Sequence, residues 1–242
     1  IPYSESNMDI IRRVFGAIHM GQHLRSMVAR REDVTREAAE AKYLPVAKDE
    51  QVTDYTFRTA PMWHQRVTFN FSKALDQSAL FLDQGLGKTK CAIDLATWRR
   101  RCGQLRRVLV ACPNSVTSVW KEQVATHGQD DLSWVQVLEG PTIRRIAQLQ
   151  RMLADDVAGF IVTNYESLQR LEPTLMRLQG RTSGLFQMMI LDESSRIKHA
   201  SSIRSKVCWK LGQTVKYRNL LTGTPITQNG EDIFGQYRFL RP

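Results

Sequence analysis

No run of roughly 18 apolar residues occurs in this 242-residue sequence, so a helix spanning a bilayer is excluded on length. Residues 1–5 lack a basic stretch leading into an apolar one, so no secretory signal is visible and an intracellular, non-secreted protein is expected. Cysteine is sparse. The four thiols, Cys91, Cys102, Cys112 and Cys208, form no C-x-x-C pair and no Cys/His ligand cluster, which favours reduced thiols over a disulfide framework or a zinc site. Internal repeats and low-complexity tracts are missing too. With 42% hydrophobic and 24% charged residues, disorder, collagen and coiled coil are poor descriptions of the chain. Acid is short relative to base: 34 Lys+Arg against 24 Asp+Glu leaves a formal charge of +10, which attracts polyanions without identifying one. The length suits one to two domains.

What is present divides the chain near residue 55. Ser6 followed by Asp9 resembles a capping box, and Ile11, Val14, Phe15 and Ile18 recur at helical spacing. A second polar helix is predicted over Thr35–Lys42, ending before Pro45, and the charged, aperiodic stretch Val46–Tyr55 reads as a linker. Residues 1–55 are therefore expected to form a helical appendage that packs on the main domain, with a protein partner or DNA as the less favoured contact. From Pro61 onward, short apolar runs alternate with amphipathic stretches. The runs are Ser78–Leu82, Val108–Cys112, Val135–Leu138, Phe160–Thr163, Met188–Leu191 and Asn219–Leu221. Helices of about ten to twenty residues are predicted between them, for example over Lys88–Arg101, Ser115–Thr126, Thr142–Leu153 and Ser201–Leu211. Nearly continuous apolar runs suit strands buried on both faces, and intervening helices suit parallel crossovers. Residues 56–242 are thus expected to form an α/β domain around a mostly parallel sheet, with its ligand beyond the carboxyl ends of the strands.

The unusual residues fall at those ends. The run ending at Leu82 is followed by Asp83, Gln84, Gly85, Leu86, Gly87, Lys88, Thr89 and Lys90 at the start of a helix. A strand feeding a Gly-rich corner that closes in Gly-Lys-Thr is a phosphate cradle, because glycines admit close backbone N–H groups and the helix start adds its positive dipole end. Lys88 would reach the β- and γ-phosphates, and the Thr89 hydroxyl would bind Mg²⁺. Leu82 occupies the first glycine position of the usual G-x-x-x-x-G-K-[ST]. About a hundred residues later, Met188–Leu191 ends in Asp192 and Glu193. Two acids at the end of a buried strand suit a metal and a water: Asp192 would hold Mg²⁺ through a water, and Glu193 would orient and deprotonate the attacking water. The two motifs together point to nucleotide hydrolysis.

These residues reach a family. The chain resembles the first RecA-like lobe of Swi/Snf-type ATPases, within the superfamily-two helicases. The family's D-E-M-G-L-G-K-T is matched by Leu82–Thr89, and its D-E-A-H-R-I-K-N by Asp192–His199. Its L-T-G-T-P-I-Q-N corresponds to Leu221–Asn229, with one residue inserted. Val108–Gln123, with Pro113, Ser115 and Trp120, resembles the segment after the second strand, although Gln123 replaces a usual Glu. Ile161–Glu166 resembles I-T-T-Y-E, and Trp63-His64-Gln65 resembles the short segment whose glutamine reads adenine. Six motifs in family order cover about Pro61 to Pro242.

The resemblance implies a motor on double-stranded DNA that uses ATP and Mg²⁺. Gln65 would bond the adenine edge, since an amide offers both donor and acceptor. Thr222, Gly223 and Thr224 would couple nucleotide state to DNA-contacting loops. Pro113, Asn114, Ser115, Asn164 and Tyr165 would face one strand's backbone, where hydroxyls, amides and N–H groups are suitable phosphate ligands. Ser195 stands in place of the family's His, which implies altered coupling. The run Arg99–Arg101, with Arg106 and Arg107 behind it, reads as a solvated helix end in preference to a DNA contact. The chain opens without methionine and closes where relatives leave the first lobe. A piece of a longer motor is therefore expected, with the arginine finger on a second RecA-like lobe of the same polypeptide. The alternatives are a restriction or defence motor, a strand-separating helicase and, less favoured, a non-hydrolysing nucleotide-dependent interaction module.

Overall fold

The computed structural model describes residues 54–180, 184–226 and 232–241. The predicted N-terminal helices and the Thr227–Asn229 part of the last motif lie outside the described residues. The chain enters through helix α1 (Trp63–Lys73), strand β1 (Gln77–Leu80), α2 (Lys88–Arg101), β2 (Arg107–Cys112) and α3 (Thr117–His127). It continues through β3 (Val135–Val137), α4 (Thr142–Ala154), β4 (Gly159–Asn164), α5 (Tyr165–Gln179), β5 (Met188–Asp192), α6 (Ile203–Gly212), β6 (Tyr217–Leu221) and α7 (Asp232–Leu240). The six strands form one sheet in the order β1-β6-β5-β2-β4-β3, and every neighbouring pair is parallel.

The apolar runs explain this arrangement. In β2, Val108 and Val110 face a layer containing Phe69, Ile93, Leu95, Trp120 and Val124. Their neighbours Leu109 and Ala111 face a second layer with Leu149, Leu168, Leu171, Leu211 and Phe239. Strand residues alternate sides, so a strand covered by helices on both faces must be apolar at every position. The central strands β2, β5 and β6 are buried throughout, whereas the edge strands β1 and β3 have four and three residues. Short edges leave few unpaired backbone groups for a foreign strand. No helix among the described residues is long and apolar enough to cross a membrane.

Two expectations change on this frame. Tyr55, assigned to a linker, is 4% exposed, stacks on Phe69 at 5.1 Å between ring centroids and donates to Asp94 Oδ1 at 3.1 Å. Tyr55 therefore belongs to the packed domain and not to a linker. Arg99, read as part of a solvated helix end, is buried: it lies 3.9 Å over the Tyr217 ring, and its guanidinium donates to the Leu75 carbonyl at 2.5 Å. Helix α2 leaves the carboxyl end of β1 and runs back along the sheet. Its last turn consequently meets the amino-terminal edge, opposite the loop that joins β1 to α2.

Candidate nucleotide site

The loop between β1 and α2 is pinned from both ends. Gly87 caps α2 with φ 78°, a left-handed conformation that costs a glycine little, and a Cβ there would come 2.4 Å from Gln65 Nε2. Lys88 opens the helix and turns back on the loop, its ammonium donating to the carbonyls of Leu82 at 2.8 Å and Asp83 at 3.1 Å. Two of its three donors are used, so one remains for an incoming acceptor. Helix α1 holds the other side: His64 Nε2 and Gln65 Nε2 both donate to the Leu86 carbonyl, at 3.0 and 3.2 Å. Asp83, Gln84 and Gly85 form the exposed crest, and Thr89 is half-buried in the first turn of α2. That turn carries backbone N–H groups without helical partners, all directed at the loop.

The acids rise from the same edge. In the sheet register Leu80 pairs with Leu221, and Leu221 pairs with Asp192. At strand spacings of about 4.8 Å, Leu80 and Asp192 lie roughly 10 Å apart, with the β6 terminus between them. The Asp192 carboxylate is enclosed: Trp120 Nε1 donates to Oδ2 at 2.8 Å, and the Glu193 N–H donates to Oδ1 at 3.0 Å. Burial raises its pKa above the ordinary carboxylate value, with the Trp120 bond opposing, the Glu193 charge reinforcing and the Lys88 charge opposing. The Tyr165 hydroxyl donates to the Asp192 carbonyl at 2.8 Å. Glu193 follows in a left-handed conformation, φ 51° and ψ 56°, and begins the 3-10 turn Ser194–Ile197.

The segment after β6 lies between loop and acids. Thr222 Oγ1 is 3.5 Å from Glu193 Oε2 and accepts from the Thr224 N–H at 3.1 Å. A Cβ on Gly223 would lie 3.3 Å from Gln84 N, so this turn rests directly on the loop between β1 and α2. Three segments far apart in sequence thus meet at one end of three adjacent strands.

Some predicted residues are placed elsewhere. The Lys90 ammonium points into the domain, paired with Asp94 at 2.6 Å and 5.1 Å from the Phe57 ring centroid, away from the loop crest. Its side chain is therefore not available to a phosphate in this arrangement. Gln65 is 7% exposed and already engaged, with Oε1 accepting from the Met62 N–H at 3.1 Å. One amide hydrogen and one lone-pair direction remain. In the group assigned to DNA, Asn114, Ser115 and Thr224 are exposed and Pro113, Asn164 and Gly223 are half-buried. Asn164 Nδ2 donates to Asn114 Oδ1 at 2.8 Å, so β2 and β4 present their ends together. Tyr165 and Thr222 are internal, at 1% and 0% exposure. Tyr165 supports Asp192 from within and does not face outward.

Trp120, Ser194 and Gln236 received no role from the sequence. A buried indole N–H needs an acceptor, and Trp120 is 1% exposed, so its presence just after the second strand was the available signal. Among the described residues there is no group of three or more His, Cys, Asp and Glu that could hold a metal by itself.

Against known proteins, a family model described as the SNF2-related domain matches residues 62–242. The chain is 32% identical over 171 residues to the chromatin-remodeling ATPase INO80 of Arabidopsis thaliana, covering 66% of this chain and 10% of that protein. It is 25% identical over 178 residues to a SWI/SNF-related matrix-associated actin-dependent regulator of chromatin subfamily A-like protein 1 homolog of Caenorhabditis elegans, covering 73% and 24%. The chain therefore spans about a tenth to a quarter of the length of these relatives. A solved structure, the Sulfolobus solfataricus SWI2/SNF2 ATPase core in complex with dsDNA, superposes with TM-score 0.61 at 26% identity, over 78% of this chain and 37% of that one.

Proposed function

The chain belongs to the SNF2-related domain family, and from that premise we propose that it is the first RecA-like lobe of an ATP-driven motor that moves along double-stranded DNA. The observation that carries this reading is the meeting of the Lys88 loop, the Asp192–Glu193 pair and the Thr222 turn at the carboxyl ends of β1, β5 and β6. Lys88 and the N–H groups at the start of α2 would bind the triphosphate, exchanging the loop carbonyls of Leu82 and Asp83 for phosphate oxygens. Gln65 keeps one donor and one acceptor for the adenine edge. Glu193 would take the proton of a water as its oxygen bonds the γ-phosphorus and the bond to ADP breaks, with Thr222 orienting the carboxylate.

Mg²⁺ fits the donors present. Asp192 and Thr89 offer hard oxygen ligands, and Mg²⁺ is ordinarily held by one or two such side chains together with substrate phosphates and waters. When bound, the ion supplies charge neutralisation on the phosphates. The exposed ends Pro113–Ser115 and Asn164, bridged through Asn114, present neutral polar groups suited to one DNA backbone. The relatives' names associate them with chromatin remodelling, and the solved neighbour is bound to dsDNA, which supports DNA as the partner and a DNA-containing compartment as the place of action. A second RecA-like lobe would supply the arginine finger, so the isolated lobe should bind ATP·Mg²⁺ weakly and hydrolyse it slowly.

The test is ATP hydrolysis by the full-length protein with and without duplex DNA, beside Lys88→Ala. Loss of DNA-stimulated turnover in the variant is expected, and unchanged turnover would reject the assignment. Activity that rises with duplex length and yields no separated strands distinguishes a translocase from a helicase.

A further inference from the structure

Resting on the reading of Glu193 as the group that activates water, we infer that Gln236, on α7, is a positioning residue that fixes Glu193 against the Thr222–Pro225 turn. The Gln236 side chain is fully buried. Its Oε1 accepts from the Ser194 hydroxyl at 2.7 Å, and its Nε2 donates to the Pro225 carbonyl at 2.7 Å and to the Asp232 carbonyl at 3.1 Å. The partners dictate the orientation of the amide: only the nitrogen can face two carbonyls, which leaves the oxygen for the hydroxyl. One side chain thus joins the residue after Glu193 to the turn that carries Thr222, the same threonine whose hydroxyl lies 3.5 Å from the Glu193 carboxylate. Glu193 requires such support, because its left-handed backbone persists only where surroundings enforce it.

Backbone packing points the same way independently. A Cβ on Gly235 would lie 2.2 Å from the Ile197 carbonyl oxygen and 2.6 Å from that of Lys198. Helix α7 therefore rests on the turn after Glu193 with no side chain between them, and the Lys198–Asp232 ion pair at 3.4 Å adds a second tie. Ser194 stands where the pattern D-E-A-H-R-I-K-N has alanine, so the hydroxyl that Gln236 receives departs from that pattern. A displacement of α7 reaches Glu193 by two routes, through Ser194 and through the turn at Pro225.

The test compares variants of the full-length protein. Gln236→Leu keeps approximate volume and removes all three bonds; kcat for ATP should fall about tenfold while KM stays within about twofold, the signature of a misplaced reacting group with intact binding. Ser194→Ala removes one bond and should lower kcat about threefold, and the double variant should fall no further than Gln236→Leu, because both act through one amide. Parent and Glu193→Gln proteins run in parallel. A parent that does not hydrolyse ATP, or a Glu193→Gln variant that hydrolyses it normally, rejects the functional reading on which the inference rests. With those controls satisfied, wild-type kcat in Gln236→Leu, or a KM change that accounts for the whole loss of kcat/KM, overturns the role of Gln236. If Gln236→Leu does not fold, Ser194→Ala decides, and an unchanged kcat there overturns the role.

Discussion

The carboxyl edge of the sheet has two halves built on different plans. Over β1, β6 and β5 the loops are locked to one another: Lys88 bonds its own loop, Trp120 and Tyr165 hold Asp192, and Gln236 ties the acidic turn to the Thr222–Pro225 turn. Over β2 and β4 the loops are open, with a side-chain bridge from Asn164 to Asn114 and exposed groups at Asn114 and Ser115. Preorganised donors and acceptors are what a charge-stabilising reaction needs, since they require no reorganisation when charge develops. Exposed neutral polar groups suit a surface that takes a long, repetitive backbone. The locked half suits chemistry and the open half suits a track.

The sharpest break of this contrast is Glu193→Gln. It preserves shape and removes the proton acceptor, so turnover should fall about 10²–10⁴-fold while ATP remains bound. Nucleotide retention after gel filtration, measured beside steady-state hydrolysis, checks both parts. Normal turnover would remove Glu193 from the chemistry and leave the locked half without a function.

Trp120→Phe probes the lock without touching a proposed substrate group. The substitution keeps a buried aromatic ring but removes the N–H on Asp192 together with the pyrrole half of the indole. Hydrogen bonds to charged groups contribute about 1.5–3 kcal/mol, and a buried carboxylate deprived of its donor retains its desolvation cost. Denaturant unfolding should therefore show a loss of at least that size, the void left by the smaller ring adding to the lost bond, well above the effect of a surface change such as Val119→Ala. Equal stabilities would mean that the indole bond contributes nothing to the lock.

Asn114→Ala tests the open half. Its amide is neutral, so removing its hydrogen bond to a phosphate changes no counterion release and should leave the salt dependence of DNA binding as it was. The affinity should fall by roughly 1 kcal/mol, about fivefold, and equally on unrelated duplexes, because bonding to the backbone carries no base information. Binding isotherms at several salt concentrations on two sequences separate this from the effect of a basic residue. Sequence-selective weakening would contradict the reading of this edge as a backbone track.

Sequence pattern revealed the sheet more readily than the locks. Every strand was legible as an apolar run, and Lys88–Arg101 was legible to the residue, because Gly87 marks its start and the Arg cluster its end. Helix α5 is less legible than its neighbours, because it carries Pro173 in its interior, where proline removes a backbone donor and signals a break. At the site, the placement of the Gly-Lys-Thr corner and the Asp-Glu pair at strand ends was legible, because each is a contiguous stretch directly after an apolar run. Tyr165 and Lys90 misled because each follows a motif residue directly, and one step along a helix start turns a side chain from the site into the core. Gln236 meets Ser194 across 42 positions, and Trp120 meets Asp192 across 72, so nothing in either local stretch announces the contact.

The smallest expected effect concerns the scaffold beneath both halves. His127 ends α3, below the carboxyl edge, with Nδ1 at 2.7 Å from Thr59 Oγ1. Burial, reinforced by the Lys90 charge, lowers its pKa below the usual histidine value. A depressed folded-state pKa means that the unfolded chain binds the proton more readily, so this contribution to stability is present above the ordinary histidine value of about 6.5 and is lost as pH falls through the folded-state value. Because the ring is half-buried and solvent still screens it, the contribution should stay below about 1 kcal/mol. Unfolding midpoints between pH 7.5 and pH 5.5, about one unit either side of that histidine value, should fall more steeply for the parent than for His127→Gln. The ratio of DNA-stimulated to unstimulated turnover should not move, since His127 belongs to neither the locked loops nor the open ones. A shift in that ratio would show that the two halves communicate through the base of α3, and the division of the edge would have to be redrawn.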